Sequence, residues 1–318
     1  MGCDEVFKLI GIWLFEWLWC LGDLIIKPRM LSYDKGFKRE VTCKRIDEQA
    51  YQNMIKKTFN VKSDFGYIIS CELIDPDNEA AESKMNNNQT SGKENPKGEI
   101  KIAILCHGFG YAKYGSIKYA GIFLKLGYKV VIYDHRNHGL SGKAHTSMGY
   151  YEKYDLKKVI DWCYDNYGAN CTIVTHGESM GAATVLLHLG IDDRVKCVIA
   201  DCAYSDLRLL LKHQLKQYYH LPYFLIPVES CITYLRAGFW YREVSPIEIV
   251  SRTNTPILFI HGKIDNLVPA EMSKQMYACK KKNKAIYLVA GARHADCYCV
   301  NHAGYEQKVE EFLKLFLC

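Results

Sequence analysis

The residues best suited to chemistry lie in the pentapeptide Gly177–Gly181, which reads Gly-Glu-Ser-Met-Gly. An apolar run precedes it and a helical pattern follows, so Ser179 falls on a tight strand-to-helix turn. Such a turn is crowded, and glycines two residues before and after the serine leave room for close backbone approach. A helix-capping serine is the alternative interpretation. The flanking glycines favour a serine whose hydroxyl is exposed as a nucleophile.

A serine hydroxyl becomes an effective nucleophile only when a base removes its proton and an acid orients that base. Candidates follow two predicted strands further along the chain, Ile257–Ile260 and Ala285–Val289. Asp265 comes after the first strand and His294 after the second. Open α/β sheets place their sites at the carboxyl ends of strands, and the order Ser, Asp, His fits a catalytic triad.

Other residues compete for the roles of acid and base. Asp201 ends the predicted strand Val195–Ala200 and is the alternative acid, although the loop that holds Asp265 fits the expected pattern better. His294 alone follows the last predicted strand at the right place. The alternative bases are His261, His302, His135 and His138.

Acyl transfer also requires backbone N–H groups that stabilise the oxyanion. We expect one from Met180, directly after the nucleophile. The second is expected from Phe109, in the glycine-containing loop His107–Gly110 that follows the predicted strand Ile100–Cys106. Such chemistry needs no cofactor. No metal is expected either, because the spacing of a possible zinc set fits poorly; that set is His294, Cys297, Cys299 and His302.

The elements that must position these residues follow from apolar runs that alternate with helical segments. This alternation predicts an α/β fold with a mostly parallel central sheet and helices on both faces. Residues 206–245 are rich in Leu, Tyr, Phe and Trp without a strand pattern, so we predict a small helical lid there. The polar stretch Asp75–Glu99 is predicted to be an exposed loop. The predicted strands are Lys57–Val61, Tyr67–Ile74, Ile100–Cys106, Val130–Tyr133, Cys171–Thr175, Val195–Ala200, Ile257–Ile260 and Ala285–Val289.

Taken together, these motifs resemble the α/β-hydrolase superfamily, in the branch of esterases, lipases and serine aminopeptidases. The resemblance covers Lys57 to Cys318 and includes the loop Tyr133–Ser141. Within the superfamily, the chain is similar to poorly characterised bacterial hydrolases with a hydrophobic N-terminal segment. The resemblance implies an α/β-hydrolase domain over residues 31–318 with the lid at 206–245. The nucleophile, acid, base and oxyanion donors that it implies are Ser179, Asp265, His294, Phe109 and Met180.

Residues 1–30 are predicted to form a hydrophobic or amphipathic helix. Within Val6–Ile26, aromatic and aliphatic residues surround a narrow polar stripe that includes Glu16 and Asp23. A spanning helix would place Glu16 near the middle of the bilayer at a cost of about 2.5–3.5 kcal/mol. The pattern therefore favours contact of residues 6–26 with a membrane surface. Packing on the chain's own domain and a true membrane anchor are the alternatives.

The composition of the 318 residues is that of a globular protein, with 49% hydrophobic and 24% charged residues. The net charge of +6 is spread along the chain, so we expect no nucleic-acid partner. Several of the 14 cysteines lie in apolar runs, which indicates a reducing compartment. The prediction is a cytoplasmic protein, with membrane association through the N-terminal helix as a further expectation.

The residues and the resemblance together predict a serine hydrolase that cleaves an ester-type bond through an acyl-enzyme. The apolar, aromatic lid favours a small-molecule ester with an apolar acyl or aromatic group, as in a carboxylesterase or monoacylglycerol lipase. The alternatives are an acyl thioesterase and a serine aminopeptidase. The aminopeptidase would need carboxylates in the lid to bind the amine of its substrate. The lid offers Asp206, Glu229 and Glu243. An alternative of another class is a catalytically inactive, membrane-associated binding protein.

Overall fold

A central sheet organises the molecule, which is described by a computed structural model over residues 16–30, 32–75 and 99–317. Within these ranges, eight strands form one sheet in the order β1-β2-β4-β3-β5-β6-β7-β8. The outer strands β1 and β2 pair antiparallel, and the pairs from β4 to β8 are parallel. The strands are Lys56–Lys62 (β1), Ile68–Ile74 (β2), Lys101–Cys106 (β3), Lys129–Tyr133 (β4), Thr172–Glu178 (β5), Cys197–Asp201 (β6), Ile257–Gly262 (β7) and Lys284–Val289 (β8).

Helices cover both faces of the sheet, which confirms the predicted fold class. Helices α2, α3, α4 and α12 contribute to the core on one face, and α5, α6, α9 and α10 to the core on the other. The helices are residues 16–26 (α1), Tyr33–Thr42 (α2), Glu48–Asn53 (α3), Ile117–Lys125 (α4), Glu152–Tyr167 (α5), Met180–His188 (α6), Leu207–Gln214 (α7), Leu225–Ala237 (α8), Pro246–Val250 (α9), Ala270–Cys279 (α10), Cys297–Val300 (α11) and His302–Leu317 (α12).

Strand β3 illustrates why the inner strands read as continuous apolar runs. Successive side chains of a strand point to opposite faces of the sheet. Ala103 and Leu105 accordingly join one core, whereas Ile102 and Ile104 join the other. All four are fully buried. A strand covered by helices on both faces has no solvent-facing position, so its sequence does not alternate between apolar and polar residues.

The segment predicted as a lid, residues 206–245, lies between β6 and β7 and contains helices α7 and α8. A short π-helical turn, Leu215–Tyr219, extends α7. The lid covers a third apolar cluster, in which Leu207 and Phe239 pack with Met180 beside Ser179. The insertion therefore sits over the carboxyl edge of the sheet, where the candidate residues emerge.

The described part of the N-terminal segment, α1, packs against the lid. Ile26 is fully buried in the third apolar cluster. Arg236 of α8 forms an ion pair with Asp23, and its Nη1 donates a hydrogen bond to the carbonyl oxygen of Trp19 at 2.6 Å. The guanidinium group also lies 4.3 Å from the Trp19 ring centroid. These contacts agree with the alternative in which the helix packs on its own domain.

Two of the predicted segments lie wholly or partly outside the described residues. These are the first part of the stretch 6–26 and nearly all of the polar loop 75–99. Of the helices within the described ranges, none is long and apolar enough to cross a membrane. Contact of the N-terminal segment with a membrane surface stays a prediction.

Candidate active site

The candidate residues meet at one edge of the sheet because the strands that carry them are parallel. Glu178 at the end of β5 pairs with Asp201 at the end of β6. On the other side of β5, Gly177 pairs with Cys106 at the end of β3. The loops that begin after β3, β5, β6, β7 and β8 therefore leave the sheet side by side. This register gathers at one edge side chains that lie far apart in the chain.

Ser179 occupies a strained single-residue turn between β5 and α6. Strand β5 continues to Glu178, three residues beyond its predicted end, and α6 begins at Met180. The backbone of Ser179 has φ 56° and ψ −115°, a conformation that non-glycine residues rarely adopt. Its N–H donates to the carbonyl oxygen of Asp201 at 2.8 Å, which ties the turn to β6. The turn holds the serine side chain at the edge of the sheet.

The two glycines of the pentapeptide are required by close packing of backbone. A Cβ atom on Gly177 would lie 2.3 Å from the carbonyl oxygen of Gly181. One on Gly181 would lie 2.2 Å from the carbonyl oxygen of Cys106 on β3. Both distances are far below van der Waals contact with rigid backbone atoms. The close backbone approach that the glycine spacing predicts is therefore present in the structure.

His294 links the serine to the predicted acid. Its Nε2 lies 2.9 Å from Ser179 Oγ, and its Nδ1 lies 2.7 Å from Asp265 Oδ2. An ionised carboxylate only accepts hydrogen bonds, so Nδ1 donates to Asp265 and Nε2 accepts from the serine hydroxyl. Burial opposes protonation of the ring, but the hydrogen bond to Asp265 and that residue's charge raise the pKa of His294 above its ordinary value. The arrangement prepares the ring to take a proton from Ser179.

Asp265 is held as an anion by a set of hydrogen-bond donors. Its Oδ1 accepts from the backbone N–H groups of Leu267 and Val268, each at 2.9 Å. Burial alone would favour the neutral acid, but hydrogen bonds from His261 and His294 lower the pKa of Asp265 to about 2. The carboxylate is therefore charged at neutral pH. A charged partner favours the imidazolium ion that forms when His294 takes the serine proton.

His261, one of the alternative bases, lies behind the acid instead of beside the serine. Its Nε2 is 3.2 Å from Asp265 Oδ2 and 2.8 Å from the carbonyl oxygen of Val268. Its Nδ1 is 2.7 Å from Ser273 Oγ. The ring is fully buried and helps to hold the Asp265 loop. Its place in the sequence, directly after the predicted strand Ile257–Ile260, does not indicate this supporting position.

Asp201, the alternative acid, is bound to tyrosine hydroxyls and not to the histidine. Its Oδ2 accepts hydrogen bonds from the hydroxyls of Tyr119 at 3.2 Å and Tyr305 at 3.1 Å. Burial, reinforced by the nearby charge of Glu178, raises the pKa of Asp201 to about 6. Among the described residues, His294 thus donates to Asp265 and accepts from Ser179, and it has no hydrogen bond with Asp201.

The remaining alternative histidines serve other parts of the fold. The rings of His135 and His138 pack around His107 in the loops after β3 and β4. The ring of His302 packs edge-on against Tyr298, with 4.5 Å between the centroids. Within the described part of the chain, Ser179 hydrogen-bonds to His294 and to none of these rings.

The two predicted oxyanion donors flank Ser179. Met180 is the first residue of α6, where backbone N–H groups have no acceptor within the helix. The loop of Phe109 passes close to the serine, since a Cβ on Gly108 would lie 3.5 Å from Ser179 Cβ. His107 shapes this loop through Nδ1, which donates to the carbonyl oxygen of Gly108 at 2.8 Å. Phe109 and Met180 remain predictions as oxyanion donors, supported by this placement.

A mainly apolar pocket of about 260 Å³ opens above Ser179. Helix α1 supplies one part of its wall and the lid supplies another. Among the described lining residues, Glu229 carries the one carboxyl group. The lining residues are Leu21, Leu24, Ile25, Phe109, Met148, Ser179, Tyr204, Leu210, Leu211, Gln214, Leu215, Tyr219, Leu225, Ile226, Glu229, Leu267 and Val268.

Two features of this pocket were not assigned by the sequence analysis. One is the wall formed by α1, which the polar stripe of that helix did not indicate. The other is the position of Glu229, which a helical pattern could have revealed. Leu225, Glu229 and Ile232 are spaced at i, i+4 and i+7, which places the carboxylate on the buried face of α8.

One set of side chains within the described ranges has the spacing of metal ligands: Cys202, Asp265 and His294. Their ligand atoms lie within 4.8 Å of one another. Asp265 and His294 already bind each other through the atoms that would hold a metal. Within the described ranges, the zinc set considered from the sequence does not form such a group. The geometry favours proton transfer over metal binding.

Comparisons with known proteins agree with this fold. A family model described as the alpha/beta hydrolase fold matches residues 104–228. The uncharacterized protein YqkD of Bacillus subtilis (strain 168) is 35% identical over 268 residues, covering 83% of this chain and 81% of its own. The esterase Pf2001 of Pyrococcus furiosus superposes with a TM-score of 0.67 at 21% identity, over 92% of this chain and 98% of that one. The ferulic-acid-bound structure of Est1E from Butyrivibrio proteoclasticus superposes with a TM-score of 0.62 at 17% identity, over 81% and 99%.

Proposed function

Since the chain belongs to the α/β-hydrolase superfamily, we propose that it is a serine hydrolase acting on esters with an apolar acyl or aromatic group. The observation that carries the proposal is the pair of hydrogen bonds at His294. One ring nitrogen lies 2.9 Å from Ser179 Oγ while the other is bound to Asp265 at 2.7 Å. This is the relation that a nucleophile, its general base and the orienting acid require.

The chemistry follows from this geometry in two steps. His294 Nε2 takes the proton of Ser179 as Oγ attacks the ester carbonyl, and the N–H groups of Phe109 and Met180 stabilise the oxyanion. The imidazolium then protonates the leaving alcohol as the carbon–oxygen bond breaks, which leaves an acyl group on Ser179. Water, deprotonated by His294, then attacks the acyl carbon. The bond from that carbon to Ser179 Oγ breaks, the imidazolium returns its proton to Oγ, and the carboxylic acid leaves.

The pocket supports an apolar substrate. Leucine, isoleucine, phenylalanine and methionine side chains form most of its lining. Burial of the apolar part of a substrate there contributes roughly 25 cal/mol per Å² of surface removed from water. A carboxylesterase or monoacylglycerol lipase fits this lining. The structural neighbour Pf2001 is an esterase, and Est1E binds ferulic acid, an aromatic acid.

The serine aminopeptidase alternative has less support in the lid. Asp206 accepts from the backbone N–H of Arg208 and pairs with the Arg208 side chain. Glu243 accepts from the N–H of Trp240 and is exposed. Of the three lid carboxylates, only Glu229 lines the pocket. An apolar ester therefore suits the pocket better than the free amine of a peptide.

Labelling with a fluorophosphonate probe tests the proposal directly. The wild type should be labelled and Ser179→Ala should not, and the wild type should hydrolyse p-nitrophenyl esters with a rate that peaks at one acyl length. If neither protein is labelled and no ester is cleaved, a binding protein becomes the better interpretation. Labelling without ester cleavage would direct attention to thioesters and peptides.

A further inference from the structure

Glu229 is a buried carboxyl group without a partner in the wall of the pocket above Ser179. It lies on α8, is 5% exposed and lines the same cavity as the serine. Neither of its carboxylate oxygens has a hydrogen-bond partner among the described residues. Leaving a buried polar group unpaired costs about 1–3 kcal/mol. A carboxyl group in this position requires an explanation beyond the packing of the lid.

The nearest cation does not satisfy this carboxyl group. Arg236, two turns further along α8, donates hydrogen bonds from its guanidinium group to the carbonyl oxygen of Trp19 and to the Asp23 carboxylate. Glu229 and Arg236 both approach Gly22 of α1, where an added Cβ would lie 3.2 Å from an atom of each. Burial raises the pKa of Glu229 to about 7, although the charge of Arg236 opposes this. The carboxyl group can therefore form hydrogen bonds with a molecule bound in the pocket.

The other polar groups of the lining do not offer Glu229 a partner. The Tyr204 hydroxyl donates to the carbonyl oxygen of Met148 at 2.6 Å, and the Ser179 hydroxyl is bound to His294. Most of the remaining lining side chains are aliphatic. Gln214 and Tyr219 also line the cavity, but Gln214 is half-buried and Tyr219 is exposed. Apart from the groups already bonded around Ser179 and Tyr204, Glu229 is therefore the buried polar group that a bound molecule would meet.

We propose that Glu229 binds a hydroxyl group of the substrate, so that the preferred substrate is an apolar ester that carries a hydroxyl on its acyl chain or on its alcohol portion. This inference rests on the proposed esterase function and specifies its substrate class. A hydroxyl can donate to the carboxyl group in either protonation state. Glu229 then acts as a residue that determines specificity and not as a participant in bond cleavage.

A hydroxyl fits this position better than an ammonium group. The buried guanidinium of Arg236 lies on the same side of the pocket, so a second cation would be repelled by it. An ammonium ion would also lose its hydration in a cavity lined mainly by leucine and isoleucine, which costs far more than burial of a hydroxyl. The ion pair with Asp23 holds Arg236 in place.

Matched esters test the proposal in the full-length chain. On the acyl side, p-nitrophenyl octanoate is compared with its 8-hydroxy and 8-amino derivatives. On the alcohol side, propyl octanoate is compared with glycerol monooctanoate. We expect kcat/KM for the hydroxylated ester of one pair to exceed that of the plain ester by about 10- to 100-fold, the range of a hydrogen bond to an ionisable group. The pair that shows the preference identifies the side of the substrate that reaches Glu229.

Variants separate a role in binding from a role in folding. Glu229→Leu should bring the hydroxyl preference, the ratio of kcat/KM for the hydroxylated ester to that for the plain ester, close to 1. The matched control is Glu243→Gln, an exposed lid carboxylate outside the pocket, which should keep the wild-type preference. The proposal is overturned if the wild type cleaves plain esters without preferring a hydroxyl on either side, if the preference survives Glu229→Leu, or if the amino ester is the best substrate.

A binding measurement keeps this inference separate from the proposed function. Calorimetric titration with 1-hexanol and with hexyl methyl ether compares a hydroxyl donor with a ligand that lacks one, without any bond cleavage. The wild type should bind the alcohol more tightly, and Glu229→Leu should bind both alike. Equal binding by the wild type would contradict the role of Glu229 even in an active esterase. Preferential binding by a protein that neither labels nor hydrolyses would overturn the esterase proposal alone.

Discussion

The ammonium group of Lys118 lies 2.6 Å from the carboxylate of Glu178, the residue directly before Ser179. Lys118 also donates to the carbonyl oxygen of Ala295, directly after His294, at 3.3 Å. Both charged side chains are nearly buried. One lysine on α4 thus connects the turn of the nucleophile with the loop of the base. It touches none of the reacting atoms, so its role is to position them.

Replacement of this lysine should lower both stability and turnover. Lys118→Met leaves Glu178 as a buried, unpaired charge, which is expected to cost about 3–5 kcal/mol of unfolding free energy. The serine and histidine loops lose their common support, so kcat should fall more than KM rises. Chemical denaturation and ester kinetics measure the two effects. In the double variant Lys118→Met/Glu178→Gln the unpaired charge is gone, and stability should partly recover. No recovery would mean that the ion pair is not the stabilising contact.

The link between Asp265 and His294 should be visible in the pH profile. The base must be neutral to accept the serine proton, so activity is lost as the pH falls through the pKa of His294. The hydrogen bond to Asp265 raises that pKa, and we expect the acidic limb of the wild type above about pH 6.5. In Asp265→Asn the hydrogen bond to an anion and the charge of Asp265 are lost, while burial and the lesser effects of the Glu178 and Asp201 charges remain, so the limb should move to lower pH. The rate should fall by about 10⁴-fold, by comparison with other serine triads.

The measurement is kcat/KM of the residual activity against pH for both proteins. Asp201→Asn is the control for the acid, because its side chain binds tyrosine hydroxyls and not His294. If Asp201→Asn moved the limb and Asp265→Asn did not, the assignment of the acid would be reversed.

Glycine at position 181 should be essential to the nucleophile turn. A Cβ there would lie 2.2 Å from the carbonyl oxygen of Cys106, so Gly181→Ala must displace β3 or the start of α6. We expect a loss of at least about 3 kcal/mol of unfolding free energy, in the range of severe core strain. Gly121→Ala on α4 is the matched control, since no described atom outside the local helix backbone lies within 4 Å of the added methyl group. There the better helix propensity of alanine should stabilise the fold by up to about 1 kcal/mol. Thermal and chemical denaturation compare the two, and equal stability would contradict the steric explanation.

Separation of α1 from the lid should weaken substrate binding and leave the chemistry intact. Arg236→Ala removes the ion pair with Asp23 and the hydrogen bond to Trp19. Leu21, Leu24 and Ile25 then lose their fixed position in the pocket wall. We expect KM for p-nitrophenyl octanoate to rise about 3- to 10-fold with little change in kcat, because binding common to ground state and transition state is lost. Arg242→Ala, an exposed lid position, is the control. An unchanged KM would show that α1 does not shape the pocket.

The sheet could be predicted because its determinants lie in short windows of sequence. Runs rich in β-branched residues mark all eight described strands. Strand β5, which helices cover on both faces, is longer than predicted, because the first two residues of the pentapeptide, Gly177 and Glu178, complete it. The spacing of Gly177, Ser179 and Gly181 predicted the strained turn for the same reason. Steric requirements within five residues can be recognised without knowing the rest of the fold.

The three candidate side chains could be named from the sequence, but their selection over competitors depended on contacts between distant elements. Asp201 and Asp265 both follow strands of the same sheet. Which of them reaches His294 depends on the direction in which each loop leaves that sheet. The Asp201 carboxylate accepts hydrogen bonds from Tyr119 and Tyr305, and it is Asp265 that binds His294.

The order of motifs along the chain by itself determined the superfamily, the sheet and the candidate triad of Ser179, Asp265 and His294. Only the tertiary structure placed α1 in the pocket wall and linked Lys118 to the loops on both sides of the site. It also left Glu229 without a hydrogen-bond partner among the described residues. Steric requirements and hydrophobic periodicity act over a few residues, so both can be recognised in the sequence. The partner of a buried polar group is supplied by whichever element folds against it, and that element is chosen by packing of the whole chain.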